Sequence, residues 1–83
     1  MAKRVIWSTE ARADLRVIDR ETALRLLKAL ARFLKTEAGD VKQLEGYDPP
    51  LRLLRIGAYR IIFHRGDDAI EIARVRHRSE VYR

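Results

Sequence analysis

The spacing of apolar residues divides the chain into a helical half and a strand half. The β-branched and aromatic run Val5-Ile6-Trp7 predicts a short strand, and Ser8-Thr9-Glu10 after it supplies a helix N-cap with an acid in the first turn. Apolar residues at helical spacing then predict helices over 10–17 and 21–35, with Asp19 as the N-cap of the second. In the second helix eight side chains are expected to face the core: Ala23, Leu24, Leu26, Leu27, Leu30, Ala31, Phe33 and Leu34.

The second half of the chain changes to the period of two that is typical of strands. Gly39-Asp40 ends the helix, and Tyr47-Asp48-Pro49-Pro50 is a connector whose prolines exclude helix. Three strands follow, at Leu51–Ile56, Tyr59–Arg65 and Ala69–His77, separated by the turn signals Gly57-Ala58 and Gly66-Asp67-Asp68. With the first strand at an edge, this predicts a single α+β domain over 1–83, β-α-α-β-β-β, with two N-terminal helices on one face of an antiparallel sheet.

Composition limits the classes of function that need to be considered. A chain of 83 residues that is 47% hydrophobic and 36% charged can form one small core. The absence of cysteine excludes disulfides, thiolate metal sites and cysteine nucleophiles. No apolar stretch is long enough to span a membrane and no secretory signal is recognised, so we expect a cytoplasmic protein without a membrane partner.

Positive charge is concentrated in the C-terminal part of the chain. The net charge is +6, and residues 51–83 carry eight cations against four acids, compared with ten against eight in residues 1–50. All eight of those C-terminal cations are arginine, whose planar fork holds phosphate at two points. A polyanionic partner is expected, although the preference for arginine over lysine is equally typical of a GC-rich genome.

Five arginines fall on the predicted strands: Arg52, Arg55, Arg60, Arg74 and Arg76. Because alternate residues of a strand share a face, Arg60 groups with His64, and Arg74 groups with Arg76. Cations gathered on one concave face repel each other unless an anion lies among them, which indicates a phosphate site. The alternative is that these side chains lie at strand ends and reach solvent.

The C-terminal tail adds His77, Arg78 and Tyr82 within seven residues. Cleavage of RNA by its own 2′-hydroxyl requires a base, cations around the phosphorus and an acid for the leaving oxygen, and these residue types can supply those roles without a metal or cofactor. Tyrosine acts as the base only where neighbouring cations stabilise its phenolate, since its pKa is ordinarily about 10. The alternative role for Tyr82 is that of an edge aromatic covering the core.

The chain resembles the RelE/ParE superfamily of toxins over almost its whole length. The resemblance is carried by Ile6-Trp7-Ser8, by Lys42-Gln43-Leu44-Glu45-Gly46, by Leu54-Arg55-Ile56-Gly57-Ala58-Tyr59-Arg60-Ile61-Ile62-Phe63 and by Val75-Arg76-His77-Arg78-Ser79-Glu80-Val81-Tyr82-Arg83. It implies a microbial-RNase-like sheet with an N-terminal helical pair. It also implies a cognate antitoxin protein as the neutralising partner.

In the RelE branch of the superfamily the toxin enters the ribosomal A site and cuts mRNA there. The resemblance implies Tyr82 as the general base, Arg76 as the residue at the leaving group and Arg60 as a stabiliser of the transition state. Six further side chains are expected to bind RNA: Arg52, Arg55, His64, Arg74, His77 and Arg78.

The sequence departs from the RelE pattern on the first meander strand. Leu51 and Leu53 stand where RelE has lysines, and Arg52 beside them has the opposite strand parity. His64 or His77 is a possible substitute for the lost cations. The ParE branch has the same scaffold and inhibits DNA gyrase by binding, so it gives the alternative function, and a module that only binds its antitoxin is a third. Retention of the three RelE-type site residues favours the ribonuclease.

Overall fold

The computed structural model describes residues 4–47 and 50–81 of the chain. Its elements follow the order β1 (Arg4–Trp7), α1 (Thr9–Arg16), α2 (Arg20–Thr36), β2 (Asp40–Leu44), β3 (Leu51–Ile56), β4 (Tyr59–Arg65), β5 (Ala69–His77) and α3 (Arg78–Val81). The α+β class, the helical pair and the three meander strands are therefore confirmed, with β3, β4 and β5 at the predicted boundaries.

The five strands form one sheet in the order β1-β5-β4-β3-β2. Strand β1 pairs with β5 in parallel, so the sheet is mixed and not entirely antiparallel as predicted. Strand β2, which pairs with β3 at the opposite edge, was not predicted at all. Its sequence contains only two apolar residues, Val41 and Leu44, and both are partly exposed, because an edge strand buries little and leaves a weak pattern.

A β-bulge in β5 lets that strand use two different neighbours along its length. Phe63 of β4 pairs with Ile72 and the preceding Ile62 pairs with Arg74, so Ala73 is the extra residue. Before the bulge the free side of β5 is covered by β1. After it, α1 lies alongside, and the backbone N–H of Val75 donates to Asp14 of α1 at 2.9 Å. The bulge therefore marks the point where sheet pairing gives way to helix packing.

The hydrophobic core lies between the helices and one face of the sheet. Ile61, Phe63, Ile70 and Ile72 are fully buried, and the ring of Phe63 meets Phe33 of α2 edge to face at a centroid distance of 5.8 Å. Both helices contribute to the same cluster, through Ala11 of α1 and Leu26, Leu30 and Phe33 of α2. The opposite face of the sheet is therefore open to ligands.

The expected core face of α2 was too wide. Leu26, Leu30 and Phe33 are buried as predicted, but Leu24 and Leu27 are 46% and 38% exposed, and Ala31 is exposed beside them. A helix lying on a sheet buries a stripe of about three or four residues per two turns, and the apolar arc of α2 is broader than that stripe. The excess forms an apolar strip along one side of α2, composed of Leu24, Leu27 and Ala31.

Both predicted N-caps are confirmed, and Ser8 has a second role. Its hydroxyl accepts the backbone N–H of Ala11 at 2.9 Å and donates to the carbonyl of Ala73, the bulge residue, at 2.8 Å. Asp19 accepts the backbone N–H of Thr22, and hydrogen bonds from the backbone and side chain of Thr22 lower the pKa of Asp19. Helix α2 ends where Glu37 adopts a left-handed conformation with φ of 56°, two residues before the predicted stop at Gly39.

We expect Ser8→Ala to lower the free energy of unfolding by about 1–2 kcal/mol, because the variant loses an N-cap and leaves the bulge carbonyl without its donor. Urea unfolding followed by circular dichroism measures the loss. Asp19→Ala is the matched control, since it removes a cap whose hydrogen bonds stay within the first turn of α2. Equal losses in the two variants would show that the link to Ala73 contributes nothing.

Candidate nucleic-acid interface

Three arginines lie side by side on the open face of the sheet. Arg55 of β3 pairs across the ladder with Arg60 of β4, and Arg60 pairs in turn with Arg76 of β5. Neighbouring strands are about 4.8 Å apart, and directly opposed residues point to the same face. The sheet thus builds an arginine row, Arg55-Arg60-Arg76, in which like charges face one another at short range.

Arg60 at the centre of this row is buried, with 7% of its surface exposed. Its Nη1 donates to the carbonyl oxygens of Gly57 and Tyr59, each at 3.2 Å, so the β3–β4 turn holds the guanidinium in place. Among the described residues, its buried Nε has no hydrogen-bond partner. Leaving such a donor unpaired costs about 1–3 kcal/mol, or more for a charged group, so an acceptor bound there would be stabilising.

The outer members of the row have different surroundings. Arg55 forms an ion pair with Asp40 of β2 at 3.8 Å, on the edge of the sheet. Arg76 is half-buried and lines a hollow of about 340 Å³ together with Leu53, Ile62 and Tyr47. The row is therefore bordered by an acid at one end and, beside it, by a depression with both polar and apolar walls, which include Glu45.

Arg74, predicted to bind RNA, is held by α1. Its Nε and Nη2 donate to the two carboxylate oxygens of Asp14 at 2.9 and 3.0 Å. Burial by itself would raise the pKa of Asp14, but hydrogen bonds from Arg74 and Val75 and the positive charges of Arg74 and Arg76 outweigh it and hold this pKa below its ordinary value. The geometry therefore gives Arg74 a structural role, anchoring α1 to β5 beside the arginine row.

Two of the other predicted site residues lie on the helix side of the sheet. Arg52 shares its strand face with Leu54, as its parity predicts, and lies near Arg65 at the end of β4. His77 shares its face with Val75; its ring packs edge to face on Tyr59 at a centroid distance of 5.2 Å, and its Nδ1 is 2.9 Å from the hydroxyl oxygen of Ser79. Neither side chain is part of the arginine row.

The remaining predicted residues differ in position. His64 lies on the open face, and its Nδ1 donates to the carbonyl of Pro50 at 3.2 Å. Arg78 is exposed at the start of α3, where its backbone N–H donates to the carbonyl of Ala58. Tyr82, the expected general base, lies outside the described residues.

Several residues of this face were missed by sequence reasoning. Asp14 is not among the predicted site residues, and its contact with Arg74 spans 60 positions, for which a single sequence carries no signal. Tyr47 lines the open face although it was interpreted only as part of a connector; as an aromatic between a strand and two prolines it was the one detectable sign. Over 4–47 and 50–81 no cluster of three or more His, Asp or Glu side chains could hold a metal ion.

No helix in the described part of the chain is long and apolar enough to cross a bilayer.

The sequence and the fold both match known toxins. A model of the family described as the ParE toxin of the type II toxin-antitoxin system parDE matches residues 5–82. A comparison of the sequence with curated proteins found no match.

Solved structures with the same fold include the archaeal RelE-RelB complex from Pyrococcus horikoshii, with a TM-score of 0.76 and 24% identity over 98% of this chain and 100% of that one. The YoeB dimer from Staphylococcus aureus has a TM-score of 0.74 and 16% sequence identity, over 93% of this chain and 98% of that one. The chromosomal ParDE system of P. aeruginosa has a TM-score of 0.63 and 19% sequence identity, over 92% of this chain and 96% of that one. At these identities the likeness concerns the fold, which RelE-type and ParE-type toxins share.

Proposed function

The chain belongs to the ParE toxin family of type II toxin-antitoxin systems, and we propose that it acts as a toxin by cutting mRNA on the ribosome. The observation that carries this proposal is the buried guanidinium of Arg60, held by the turn carbonyls with its Nε unpaired and flanked by Arg55 and Arg76. A preorganised cationic row of this kind suits the extra negative charge that a phosphate acquires during cleavage.

In the proposed reaction the 2′-hydroxyl of RNA attacks the adjacent phosphorus. The base removes the hydroxyl proton, the new oxygen–phosphorus bond closes a 2′,3′-cyclic phosphate, and the bond to the 5′-oxygen breaks. Arg60 stabilises the charge on the phosphoryl oxygens. The guanidinium of Arg76 neutralises the leaving oxygen, which takes its proton from water. The base is assigned to Tyr82 from its position in the sequence.

The leucines that replace two lysines of the RelE pattern bear on how RNA would be held. Leu51 and Leu53 are on the open face, as the alternation of β3 requires, and Leu53 is buried. The positive charge of this face therefore comes from the arginine row and from Lys42 of β2, which pairs with Leu53. We expect a weaker grip on the RNA backbone than a lysine-rich strand would give, and hence strong dependence on the ribosome for positioning.

Primer extension on translated mRNA tests the proposal. Wild-type protein should produce cuts at codons in the ribosomal A site, and Tyr82→Phe and Arg76→Ala should each reduce them by at least about 100-fold. Arg12→Ala is the control, because Arg12 is exposed on α1 away from the open face. The proposal is lost if no A-site cuts appear, or if both site variants cut as well as the wild type.

We further propose a cognate antitoxin with an acidic, amphipathic segment that covers part of helix α2. The apolar strip Leu24-Leu27-Ala31 is exposed on α2 and is bordered by the cations Arg20, Lys28 and Lys35. Such a surface fits a helix with apolar residues on one face and acids beside them. The RelE of P. horikoshii, to which this fold is similar, was solved in complex with RelB.

We expect the double variant Leu24→Glu and Leu27→Glu to weaken association with the product of the adjacent reading frame by at least about 100-fold, since it places two charges in an apolar contact. Co-purification followed by titration calorimetry measures the effect. Arg25→Glu, on another side of α2, is the matched surface control. Unchanged affinity of the double variant would remove α2 from the interface.

A second candidate function, inhibition of DNA gyrase by binding, is favoured by a different observation. Beside the arginine row the open face is apolar, with Leu44, Leu51, Leu53 and Ile62 on one side of the sheet. A mixed surface of this kind suits a protein as well as a nucleic acid. A supercoiling assay decides this point, because unchanged gyrase activity at saturating toxin excludes the second candidate.

A further inference from the structure

The open face contains another hollow, of about 350 Å³, which the proposed reaction does not use. Its walls are mainly apolar and include Ile6, Tyr47 and Leu51. Ile6 and Tyr47 are 45% and 55% exposed, although neither is needed to close the core. Its volume is at the lower end of the range for small-ligand pockets, and such a concave surface with a few polar groups is the usual form of a binding site.

The polar side chains of this hollow include Ser8, His64 and Glu71. Glu71 and His64 are direct partners across β5 and β4. Nδ1 of His64 is held by the carbonyl of Pro50, and the carboxylate of Glu71 only accepts hydrogen bonds. The hollow therefore selects for a flat or apolar group that carries N–H donors on one edge.

The hollow shares one wall residue with the depression that Arg76 lines. Tyr47 lines both this hollow and the one that contains Arg76. Along β4 the distance from Arg60 to His64 is four residues, or about 13 Å, so a single extended ligand can reach both. The negative charge of Glu71 repels phosphate. An RNA strand whose phosphates contact the arginines would thus place one of its uncharged bases in the hollow.

We propose that this hollow is a subsite for one RNA base, guanine in preference to the others; this rests on the proposed function insofar as RNA is the ligand. Tyr47 stacks on the base, and Ile6 and Leu51 form the walls. The adjacent N1–H and N2–H donors of guanine match the two oxygens of Glu71. Uracil offers a single N–H between two carbonyl oxygens, which the carboxylate repels. Single-stranded RNA is commonly recognised in this way, by stacking and by hydrogen bonds to the Watson–Crick edge.

Fluorescence anisotropy with labelled RNA hexamers tests the subsite without the ribosome. The probes are hexauridine, the same hexamer with one central guanosine, and a third with inosine, which lacks the N2 amino group, in that place. Wild-type protein should bind the guanosine hexamer about tenfold more tightly than hexauridine, with the inosine hexamer between them. Equal affinities for the three probes, or no binding to any of them, would overturn the proposal.

Two exposed side chains supply the variants. Glu71→Gln should remove the preference for guanosine over inosine, and Tyr47→Leu should weaken binding of the guanosine hexamer about tenfold, most of which Tyr47→Phe should restore because it keeps the ring. Glu21→Gln, an exposed site on α2, is the control for charge. If Glu71→Gln keeps the full preference, or Tyr47→Leu binds as tightly as the wild type, the hollow is not the subsite.

Primer extension separates this inference from the nuclease proposal. Cleavage without any dependence on guanine in the probes or in the codons cut would leave the nuclease standing and remove the subsite. A guanosine preference in the hexamers without cleavage on the ribosome would support the subsite and remove the nuclease. Loss of gyrase inhibition in Tyr47→Leu and Glu71→Gln with unaltered RNA binding would mean that the hollow receives a protein, and this also overturns the proposal.

Discussion

Replacing Arg60 by glutamine should lower the rate of mRNA cleavage on the ribosome by about 100–1,000-fold, the usual effect of removing one preorganised donor from a site where charge develops. The reason is geometric as well as electrostatic. The guanidinium is fixed by the carbonyls of Gly57 and Tyr59, so it does not need to reorganise when the phosphate gains charge. Arg60→Lys keeps the charge but loses Nε and the planar fork, and should recover only a small part of the rate.

Because Arg60 is buried, the cleavage rate of Arg60→Gln is informative only if the variant remains folded. The glutamine side chain is shorter and does not reach the carbonyls that Nη1 of Arg60 contacts, so thermal unfolding followed by circular dichroism checks that the variant remains folded. Arg65→Gln is the matched control: it lies on the same strand but on the helix face, where Arg65 is paired with Glu37. Folded Arg60→Gln that cleaves at the wild-type rate would remove Arg60 from the mechanism.

The sequence predicted the fold well where local patterns are strong. The turn residues between β3, β4 and β5 fix the meander, and Ser8 and Asp19 fix the starts of both helices. The pattern failed at β2, an edge strand with one partner and two partly exposed apolar residues. Whether β1 is parallel or antiparallel to β5 is not encoded locally either, because it depends on the path of the whole chain.

For the site, the sequence predicted only which residues of each strand share a face. Alternation groups Arg60 with His64 and Arg74 with Arg76, and it places Arg52 on the face opposite to Leu51 and Leu53; the structure agrees on each strand. The row as a whole depends on cross-strand register, which pairs Arg55 with Arg60 and Arg60 with Arg76 and cannot be deduced from one strand. The bulge at Ala73 adds a further shift in register that the sequence does not indicate, because alanine is not a typical bulge residue.

The pairing of Arg74 with Asp14 shows why the number of cations on a sheet face overestimates how many of them can bind a ligand. Arg74 has the same parity as Arg76 and the same residue type, yet its two nitrogens are bound by a carboxylate from α1. The acid that distinguishes them lies 60 residues away in the sequence. Arginine on an exposed sheet face is thus a candidate ligand-binding group only after its intramolecular acceptors have been located.

We expect Asp14→Ala to lower the free energy of unfolding by about 2–3 kcal/mol at neutral pH. The change removes the acceptor of three hydrogen bonds, leaves the guanidinium of Arg74 without its carboxylate and leaves the N–H of Val75 unpaired at the point where α1 replaces β1. For a domain of this size the midpoint of thermal unfolding should fall by about 10–20 °C. Asp68→Ala, which breaks an exposed ion pair with Arg4, should cost less than about 1 kcal/mol.

The same carboxylate makes stability depend on pH in a definite direction. The pKa of Asp14 is lower in the folded protein than in the unfolded chain, so its contribution is complete above the unfolded value of about 4 and is lost as the pH falls through the folded value. Urea unfolding at pH 7, 4 and 3 should therefore show wild type and Asp14→Asn converging below pH 4. A difference between the two proteins that stays constant down to pH 3 would mean that the ionised carboxylate is not what holds α1 against β5.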